Sequence, residues 1–479
     1  MARFWVFAVV SVLTTTAHAV LPKPVADALR AAGLPESSVS AIVQDTEAQR
    51  PSLEHRAGAA VNPASVMKLV TTYAALELLG PAYRWKTEVY RDGENLVVRG
   101  GGDPKLTYEN VWLLLRALRG RGIREIRGDI ILDRSYFGEV ADRPIDDEGF
   151  RPYNVRPDAL LVNFQSMRFT FLPNGNGVAI YTQPSIPGLA LVNTLRVSDG
   201  PCPEGRAFRD LIHAQFQPRP ARASFTGLYP ALCGEKDMNV ALQPAEDYVE
   251  SLLRGLWTEL GGSWTGRVRD GTVPPGAQLV YTHESPPLAE VVRDINKFSN
   301  NVMARQLYLT MAAELGGAPA RPENAFQAIR AWLARKRLDV PELAMENGSG
   351  LSRNERISAA GLATILRAAW HSPVMPELAS SLPIVAADGT MRKRLRGEPV
   401  AGQAHIKTGL LNDARSIAGY VLDRNGRTQV VVMIVNHPRA PEAQAALDAL
   451  VEWAYARPPA ATGRARATSR PRAVSPRHP

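Results

Sequence analysis

The chain has 479 residues, of which 45% are hydrophobic and 22% charged, a composition that is typical of globular proteins and excludes collagen-like and largely disordered chains. This length predicts about three domains. The net charge of +9 does not indicate nucleic-acid binding, because six of the arginines lie in the segment 457–479, which contains no acidic residue. We expect this Pro-, Ala- and Arg-rich tail to be disordered, either contacting anionic envelope surfaces or simply solvated.

The segment from Met1 to Ala19 has the pattern of an export signal. Arg3 precedes an apolar run from Phe4 to Leu13, and an A-x-A cleavage site ends at Ala19. The run is too short to span a bilayer, and no later stretch approaches the roughly 18 apolar residues that a span requires. We therefore expect cleavage after Ala19. The alternative is an uncleaved N-terminal anchor.

Helix and strand patterns alternate at both ends of the chain. A short strand is predicted at residues 39–43, followed by an apolar helix that carries Ser65 and ends at Gly80-Pro81. Near the C-terminus, three strands are predicted at 404–411, 416–422 and 429–437, with a closing helix at about 441–456. The short linkers between these strands predict antiparallel neighbours.

The middle of the chain, from about Glu88 to Val280, consists of short β-like runs separated by turn residues and predicts one or two inserted β-rich modules. Helices resume at Leu288. Cys202 and Cys233 are too few for a zinc site or a CxxC motif, but in an exported chain they could pair and close a peripheral loop. Such a bridge is worth on the order of 3 kcal/mol.

Ser65 and Lys68 form an S-x-x-K motif at the start of the apolar helix. Positions i and i+3 share a helix face, so the Lys68 amine can reach the Ser65 hydroxyl. A serine becomes nucleophilic when a base takes its proton, and apolar surroundings lower the pKa of a lysine enough for it to be that base. The motif alone is weak evidence, since a surface serine followed by a snorkelling lysine is the commoner explanation.

Two further motifs strengthen the catalytic interpretation. Ser299-Asn300-Asn301 lies at the junction of two predicted helices, and Lys407-Thr408-Gly409 lies in an apolar strand. S-x-x-K, S-D-N and K-T-G, in this order, are the signature of serine β-lactamases and penicillin-binding proteins. The alternative for Ser299-Asn300-Asn301 is a helix N-cap cluster. The alternative for Lys407-Thr408 is an ordinary pair of residues in a strand.

The flanking segments extend the match. NPASVMKLVTTYAALELLG, LVVRGGGDPKLT, NKFSNNVMARQL, MENGSGLSRNERIS, AADGTMRKRL and GQAHIKTGLLNDARSIAGY together resemble the D-alanyl-D-alanine carboxypeptidase/endopeptidase family, the class C low-molecular-mass penicillin-binding proteins. The resemblance covers about residues 39–453. It implies an α+β fold, in which a β-lactamase/transpeptidase-like domain with an antiparallel sheet flanked by helices is interrupted by a β-rich insertion.

The resemblance also implies the domain boundaries. The long gap between Ser65 and Ser299 leaves room for the insertion. We expect a catalytic domain formed by residues 20–88 and 280–456, an insertion at 89–279 that divides into two subdomains, and the tail at 457–479.

By the same resemblance, Ser65 would be the nucleophile, Lys68 the base and Ser299 a proton relay to the leaving amine. Asn301 would hold the substrate amide, and Lys407 with Thr408 would bind the terminal carboxylate of D-alanine. Gly409 would let the substrate backbone lie along the strand edge, and the backbone N–H groups of Ser65 and Leu410 would form the oxyanion hole. Asn300 departs from the Asp of S-D-N in the same way as class C members do.

Several other patterns are interpreted as turns. Gly100-Gly101-Gly102-Asp103-Pro104 lacks the G-x-x-x-x-G-K-[ST] pattern of a phosphate-binding loop, and Asn347-Gly348-Ser349-Gly350 and Asp388-Gly389-Thr390 resemble family segments near the catalytic cleft. For the last two segments, a supporting role beside the catalytic cleft is the second interpretation. There is no G-x-S-x-G or H-E-x-x-H motif, and the histidines show no ligand spacing, so we expect no metal and no cofactor.

Together these patterns predict a periplasmic serine DD-peptidase that removes terminal D-alanine from peptidoglycan stem peptides, cuts D-alanyl cross-links, or both, and that is acylated by β-lactams. One rival is a serine β-lactamase, but no E-x-x-L-N segment is present to position the deacylating water. The other rival is a catalytically silent protein that binds the cell wall. The balance of activities, the oligomeric state and the insertion residues that contact the stem peptide remain open at this stage.

Overall fold

The computed structural model describes residues 20–140, 146, 149–203 and 207–457. The expected export signal and the basic tail beyond Arg457 lie outside the described residues, so these two assignments stay predictions. Among the described helices, none is both long enough and apolar enough to cross a bilayer.

The N-terminal part contributes two strands to the main sheet and the helix that follows Ser65. Its elements are α1 (Lys23–Ala31), β1 (Val39–Asp45), β2 (Leu53–His55) and α2 (Lys68–Leu79). Strand β1 begins at the predicted residue and extends to Asp45, beyond the predicted end at Val43. Helix α2 ends at Leu79, and the following Gly80 has a φ of +82°, a conformation that glycine adopts readily.

The inserted region contains most of the strands of the protein. In chain order it comprises β3 (Lys86–Asp92), β4 (Asn95–Arg99), α3 (Tyr108–Gly120), β5 (Glu125–Ile126), β6 (Ile130–Asp133), β7 (Met167–Asn174), β8 (Gly177–Gln183), β9 (Ala190–Ser198), β10 (Ile212–Gln217), β11 (Arg222–Pro230), β12 (Lys236–Val240), α4 (Ala245–Glu259), β13 (Ser263–Trp264), β14 (Val268–Asp270) and β15 (Gln278–Glu284). The β-rich composition of residues 88–280 therefore corresponds to real strands.

Two larger sheets organise the insertion. One has five strands in the order β14-β6-β4-β3-β15, and the other has six in the order β10-β11-β9-β8-β7-β12. Their apolar faces belong to a single continuous cluster of buried side chains, which includes Val89 from the first sheet and Phe169 and Phe225 from the second. The two sheets thus share one hydrophobic core, and the division of the insertion into two subdomains stays a prediction.

The chain enters and leaves the insertion through neighbouring strands. β3 and β15 pair in antiparallel fashion, from Lys86 opposite Glu284 to Arg91 opposite Gln278. At the base of this ribbon, the Trp85 N–H donates to the Ser285 hydroxyl and the Ser285 N–H donates to the Trp85 carbonyl, and both hydrogen bonds are 3.0 Å long. The predicted boundaries, 88/89 and 279/280, fall within these two strands.

The C-terminal part supplies the remaining helices and the other three strands of the main sheet. Its elements are α5 (Leu288–Phe298), α6 (Asn301–Gly316), α7 (Pro322–Arg335), α8 (Ala359–Trp370), α9 (Met375–Ser381), β16 (Ala404–Leu410), β17 (Ala414–Leu422), β18 (Thr428–Asn436) and α10 (Gln444–Ala456). The three predicted strands correspond to β16, β17 and β18, with small differences at their ends.

The main sheet has five antiparallel strands in the order β16-β17-β18-β1-β2. Helices α1 and α10 cover one face, and a larger cluster that includes α2, α5, α6 and α8 covers the other. The predicted α+β fold with a helix-flanked antiparallel sheet is confirmed. Strand β16 lies at the edge of the sheet. On its outer side, the Val385 N–H donates to the Ala404 carbonyl and the Ile406 N–H donates to the Pro383 carbonyl, so an extended ligand could pair only with the part of β16 from Lys407 onward.

Cys202 and Cys233 form a disulfide, as the sequence suggested. Replacing both cysteines by serine should lower the free energy of unfolding of the insertion by about 3–4 kcal/mol, because the bridge closes a loop with a sequence separation of 31. Urea denaturation followed by tryptophan fluorescence would measure the change. The rate of Ser65 acylation should stay the same, and an unchanged denaturation midpoint would contradict the prediction.

Candidate active site

Ser65 lies in a short 3-10 turn, Ala64–Met67, directly before α2 rather than within the α-helix itself. Two side chains fasten the segment just before it. The Asn62 Oδ1 atom accepts a hydrogen bond of 2.9 Å from the Ala64 N–H, and the Ser416 hydroxyl donates one of 2.6 Å to the Pro63 carbonyl. Ala64 has a φ of +49°, an unusual conformation for alanine that these contacts hold in place.

The Lys68 amine is fully buried and contacts three oxygen atoms. Its Nζ atom lies 2.9 Å from the Ser65 Oγ and 2.5 Å from the Asn301 Oδ1, and it also donates to the carbonyl of Ser349. The Asn301 and Ser349 oxygens can only accept hydrogen bonds. A neutral amine therefore uses its two N–H bonds on them and directs its lone pair at the Ser65 hydroxyl.

The environment of Lys68 favours this neutral form. Burial is the main cause that holds the pKa of Lys68 well below its usual range, and the positive charges of Lys407 and Arg305 add to the effect. The buried carboxyl of Glu355 acts in the opposite direction. The apolar helix thus has the consequence that the sequence predicted, because it turns a lysine into a candidate base.

The Ser299-Asn300-Asn301 motif combines a catalytic and a structural arrangement. Ser299 ends α5 with a φ of +56°, and Asn301 begins α6. The Asn300 side chain caps α6 by accepting a hydrogen bond of 3.1 Å from the Met303 N–H. The N-cap interpretation is therefore correct for Asn300 and leaves Ser299 and Asn301 directed at the two lysines.

Lys407 and Thr408 lie on the edge strand β16. The fully buried Lys407 amine donates a hydrogen bond of 2.8 Å to the Ser299 Oγ and one of 2.7 Å to the Thr408 carbonyl. Burial lowers the pKa of Lys407 to about 7. The Thr408 hydroxyl donates to the Thr390 hydroxyl over 2.7 Å, which links β16 to the 388–390 turn.

The 388–390 turn is itself anchored beside the site. The carboxylate of Asp388 pairs with the buried Lys297 amine over 2.6 Å and accepts a hydrogen bond of 2.7 Å from the Ile384 N–H. These contacts give this turn the supporting role that was the second interpretation of its sequence.

Gly409 is required for a reason that the sequence did not reveal. A Cβ atom at this position would lie 2.2 Å from the Ser416 Oγ and 2.9 Å from both the Pro63 carbonyl oxygen and the Ser65 nitrogen. Glycine therefore lets β16 pack closely against the nucleophile turn, whereas the prediction concerned its outer edge. The oxyanion hole formed by the backbone N–H groups of Ser65 and Leu410 stays a prediction.

The structure brings the three predicted motifs together in one site. One set of hydrogen bonds joins Lys68 to Ser65 and Asn301, and another bond joins Lys407 to Ser299. Sequence reasoning did not identify the Ser349 carbonyl as a partner of Lys68, although it noted the turn that carries it. Within the described residues, no group of acidic, histidine or cysteine side chains is arranged to hold a metal ion.

An open cleft of about 940 Å³ extends from Ser299 and Asn301 towards the insertion. Its far wall is formed by the six-stranded sheet, including Arg168, Gln183 and Asn239. The cleft is wide enough for a substrate larger than a dipeptide, and polar side chains form much of its lining.

Comparisons with known proteins agree with this geometry. A sequence profile of the D-Ala-D-Ala carboxypeptidase 3 (S13) family matches residues 21–457. The chain is 27% identical over 427 residues to a D-alanyl-D-alanine carboxypeptidase of Actinomadura sp. strain R39, covering 84% of this chain and 78% of the relative. It is 24% identical over 420 residues to the D-alanyl-D-alanine carboxypeptidase DacB of Haemophilus influenzae, covering 84% and 86% of the two chains.

A similar fold is found among solved structures. The crystal structure of penicillin-binding protein 4 from Haemophilus influenzae matches with a TM-score of 0.72 at 23% identity, over 88% of this chain and 98% of the other. The same protein in complex with a β-lactam matches with a TM-score of 0.68 at 22% identity and the same coverage.

Proposed function

Since the chain belongs to the D-Ala-D-Ala carboxypeptidase 3 (S13) family and is a serine-type DD-peptidase, we propose that Ser65 attacks D-alanyl-D-alanine termini of peptidoglycan stem peptides with Lys68 as its base. The observation that carries this assignment is the 2.9 Å contact between the Lys68 amine and the Ser65 hydroxyl, in a site where the amine is buried. Asn301 and the Ser349 carbonyl occupy its other contacts.

In the first step, the Ser65 Oγ forms a bond to the carbonyl carbon of the penultimate D-alanine, and Lys68 takes the hydroxyl proton. The backbone N–H groups of Ser65 and Leu410 stabilise the negative charge on the carbonyl oxygen. The C–N bond then breaks, and the proton that Lys68 took from Ser65 is relayed through Ser299 to the leaving amine, which leaves Lys68 neutral again. The products are free D-alanine and an ester between Ser65 and the shortened peptide.

In the second step, a water molecule attacks the ester carbonyl while Lys68 accepts one of its protons. The Ser65 oxygen leaves and regains a proton, which restores the enzyme and releases the peptide acid. The overall reaction is hydrolysis of one peptide bond by one water molecule.

Lys407 and Thr408 bind the terminal carboxylate of the substrate. The Lys407 amine is already within 2.8 Å of Ser299, so a carboxylate bound to it lies beside the group that protonates the leaving amine. Gly409 keeps β16 close to the nucleophile turn, and Asn301 holds the amide of the penultimate residue.

The open cleft beside Ser299 supports endopeptidase action on D-alanyl cross-links in addition to carboxypeptidase action. Such a substrate has a second stem peptide in place of the terminal D-alanine and needs more space than a dipeptide. Together with the export-signal pattern of Met1 to Ala19, this substrate class supports a periplasmic location.

β-lactams resemble the D-alanyl-D-alanine terminus and should acylate Ser65. The intact mass of the protein after incubation with benzylpenicillin is expected to rise by one drug molecule, and the mass of Ser65→Ala should stay unchanged. Both proteins should show the same circular dichroism spectrum, since the substitution removes only one oxygen atom.

The same measurement separates the rivals. Rapid hydrolysis of the drug without a stable adduct would indicate a β-lactamase. Intact drug with no adduct on the folded wild-type protein would indicate a catalytically silent binding protein and would contradict the proposed role of Ser65.

A further inference from the structure

Glu355 is a buried acid that none of the three sequence motifs contains. Its side chain is fully buried and accepts hydrogen bonds from four backbone N–H groups of one loop. The Oε1 atom accepts from Glu346 (3.1 Å), Asn347 (3.0 Å) and Gly348 (2.8 Å), and the Oε2 atom accepts from Gly350 (2.8 Å). A carboxylate surrounded by backbone N–H groups in this way closes the loop around itself.

The loop at 346–350 lies against the catalytic helix and the nucleophile turn. The carbonyl of Ser349 accepts a hydrogen bond from the Lys68 amine, and the carbonyl of Gly348 accepts one of 2.6 Å from the Thr71 hydroxyl, one turn further along α2. A Cβ atom on Gly350 would lie 1.9 Å from the Ala64 carbonyl oxygen. The loop therefore has little freedom to move relative to Ser65 and Lys68.

We propose that Glu355 is a positioning residue of this active site, whose carboxylate holds the 346–350 loop so that the Ser349 carbonyl orients the Lys68 amine towards Ser65. This inference rests on the proposed role of Lys68 as the base. With the Ser349 and Asn301 oxygens both fixed, only one direction is left for the amine lone pair. Without the carboxylate, the four backbone N–H groups lose their acceptor, and the Ser349 carbonyl is no longer held in place against the Lys68 amine.

The charge of Glu355 also acts on Lys68. Burial raises the pKa of Glu355, and the backbone N–H groups oppose this by stabilising the carboxylate. The carboxylate in turn favours the protonated form of Lys68, whereas Lys407 and Arg305 disfavour it. Removing the negative charge must therefore lower the pKa of Lys68 further.

The test is the pH dependence of acylation by a chromogenic β-lactam. For the wild type, the second-order rate constant should rise with pH as Lys68 loses its proton. For Glu355→Gln, this rise should move to lower pH by about one unit, because the neighbouring negative charge is gone. The plateau should fall at least about tenfold, because the amide N–H₂ cannot accept the Gly350 N–H.

Two variants serve as controls. Glu355→Asp keeps the charge but not the reach, so its plateau should fall while the midpoint of the rise stays within about 0.3 pH units of the wild type. Glu77→Gln removes a negative charge from α2, where that side chain accepts a hydrogen bond of 2.6 Å from the Lys336 amine, and it should change neither quantity.

A folded Glu355→Gln protein that keeps the wild-type plateau would overturn the proposal, and so would one whose midpoint is unchanged or higher. If Glu355→Gln does not fold, a wild-type plateau for Glu355→Asp would overturn it instead. The proposed role of Lys68 fails separately, since in that case the wild type would show no rise of acylation rate with pH.

Discussion

Replacing Lys68 by methionine is expected to lower the rate of Ser65 acylation by about 10³-fold. Methionine keeps the apolar stem that packs inside the helix cluster but removes the amine that lies 2.9 Å from the Ser65 hydroxyl. Stopped-flow mixing with a chromogenic β-lactam gives the acylation rate, and a thermal melt shows whether the fold is retained.

Lys336→Met is the matched control. Lys336 also contacts the α2 helix, but its amine bonds to the Tyr73 hydroxyl (3.2 Å) and the Glu77 carboxylate (2.6 Å), further along the helix than the catalytic residues. Its acylation rate should stay within about twofold of the wild type. If Lys68→Met retained more than a tenth of the wild-type rate, another group would have to be the base.

Replacing Lys407 by methionine is expected to lower kcat/KM for a peptide ending in D-alanyl-D-alanine by about 10²-fold. A hydrogen bond to a charged group contributes about 1.5–3 kcal/mol, and the Lys407 amine is the buried cation on the edge strand that would face the terminal carboxylate. Because the pKa of Lys407 is lowered to about 7, the wild-type enzyme should itself lose carboxylate affinity, seen as a rising KM, above pH 7.

A substrate whose C-terminus is an amide separates binding from chemistry. The wild type and Lys407→Met should differ much less on this substrate, because it has no carboxylate to bind. The positive charge of Lys407 lowers the pKa of Lys68 in the wild type. The pH midpoint of acylation should therefore move upward in Lys407→Met, which lacks this charge. This shift is opposite to that expected for Glu355→Gln. Equal losses on both substrates would contradict carboxylate binding by Lys407.

The catalytic motifs could be predicted because each one has a local signature. The spacing of Ser65 and Lys68 follows from the geometry of a single helical segment, and Lys407 lies in an alternating apolar strand. The order of the three motifs then determines which segments must meet. The same reasoning predicted the antiparallel sheet and its flanking helices, because short linkers allow only antiparallel neighbours.

The supporting contacts could not be predicted from the sequence. A carboxylate that accepts backbone N–H groups, as Glu355 does, recognises no particular side chain and leaves no residue pattern in the loop it holds. The same is true of Gly409, whose role depends on the Pro63 carbonyl and the Ser65 nitrogen, which lie near the other end of the chain. Such long-range contacts become visible only when the backbone has been placed.

The organisation of the insertion was predicted only in part. Its strand-rich character is clear from the sequence, but the joining of its two large sheets through one core depends on which faces meet. Side chains such as Phe169 and Phe225 alternate with more exposed residues along their strands, which identifies an inner face without identifying its partner.

The pairing of β1 with β18 has a consequence for biosynthesis. Val39 and Val435 are direct neighbours in the sheet although they lie near opposite ends of the chain. The ribosome must therefore complete nearly the whole polypeptide before β1 can find its partner in the main sheet. Nascent or prematurely terminated chains have no assembled catalytic centre, so hydrolytic activity can arise only after synthesis of the sheet is complete.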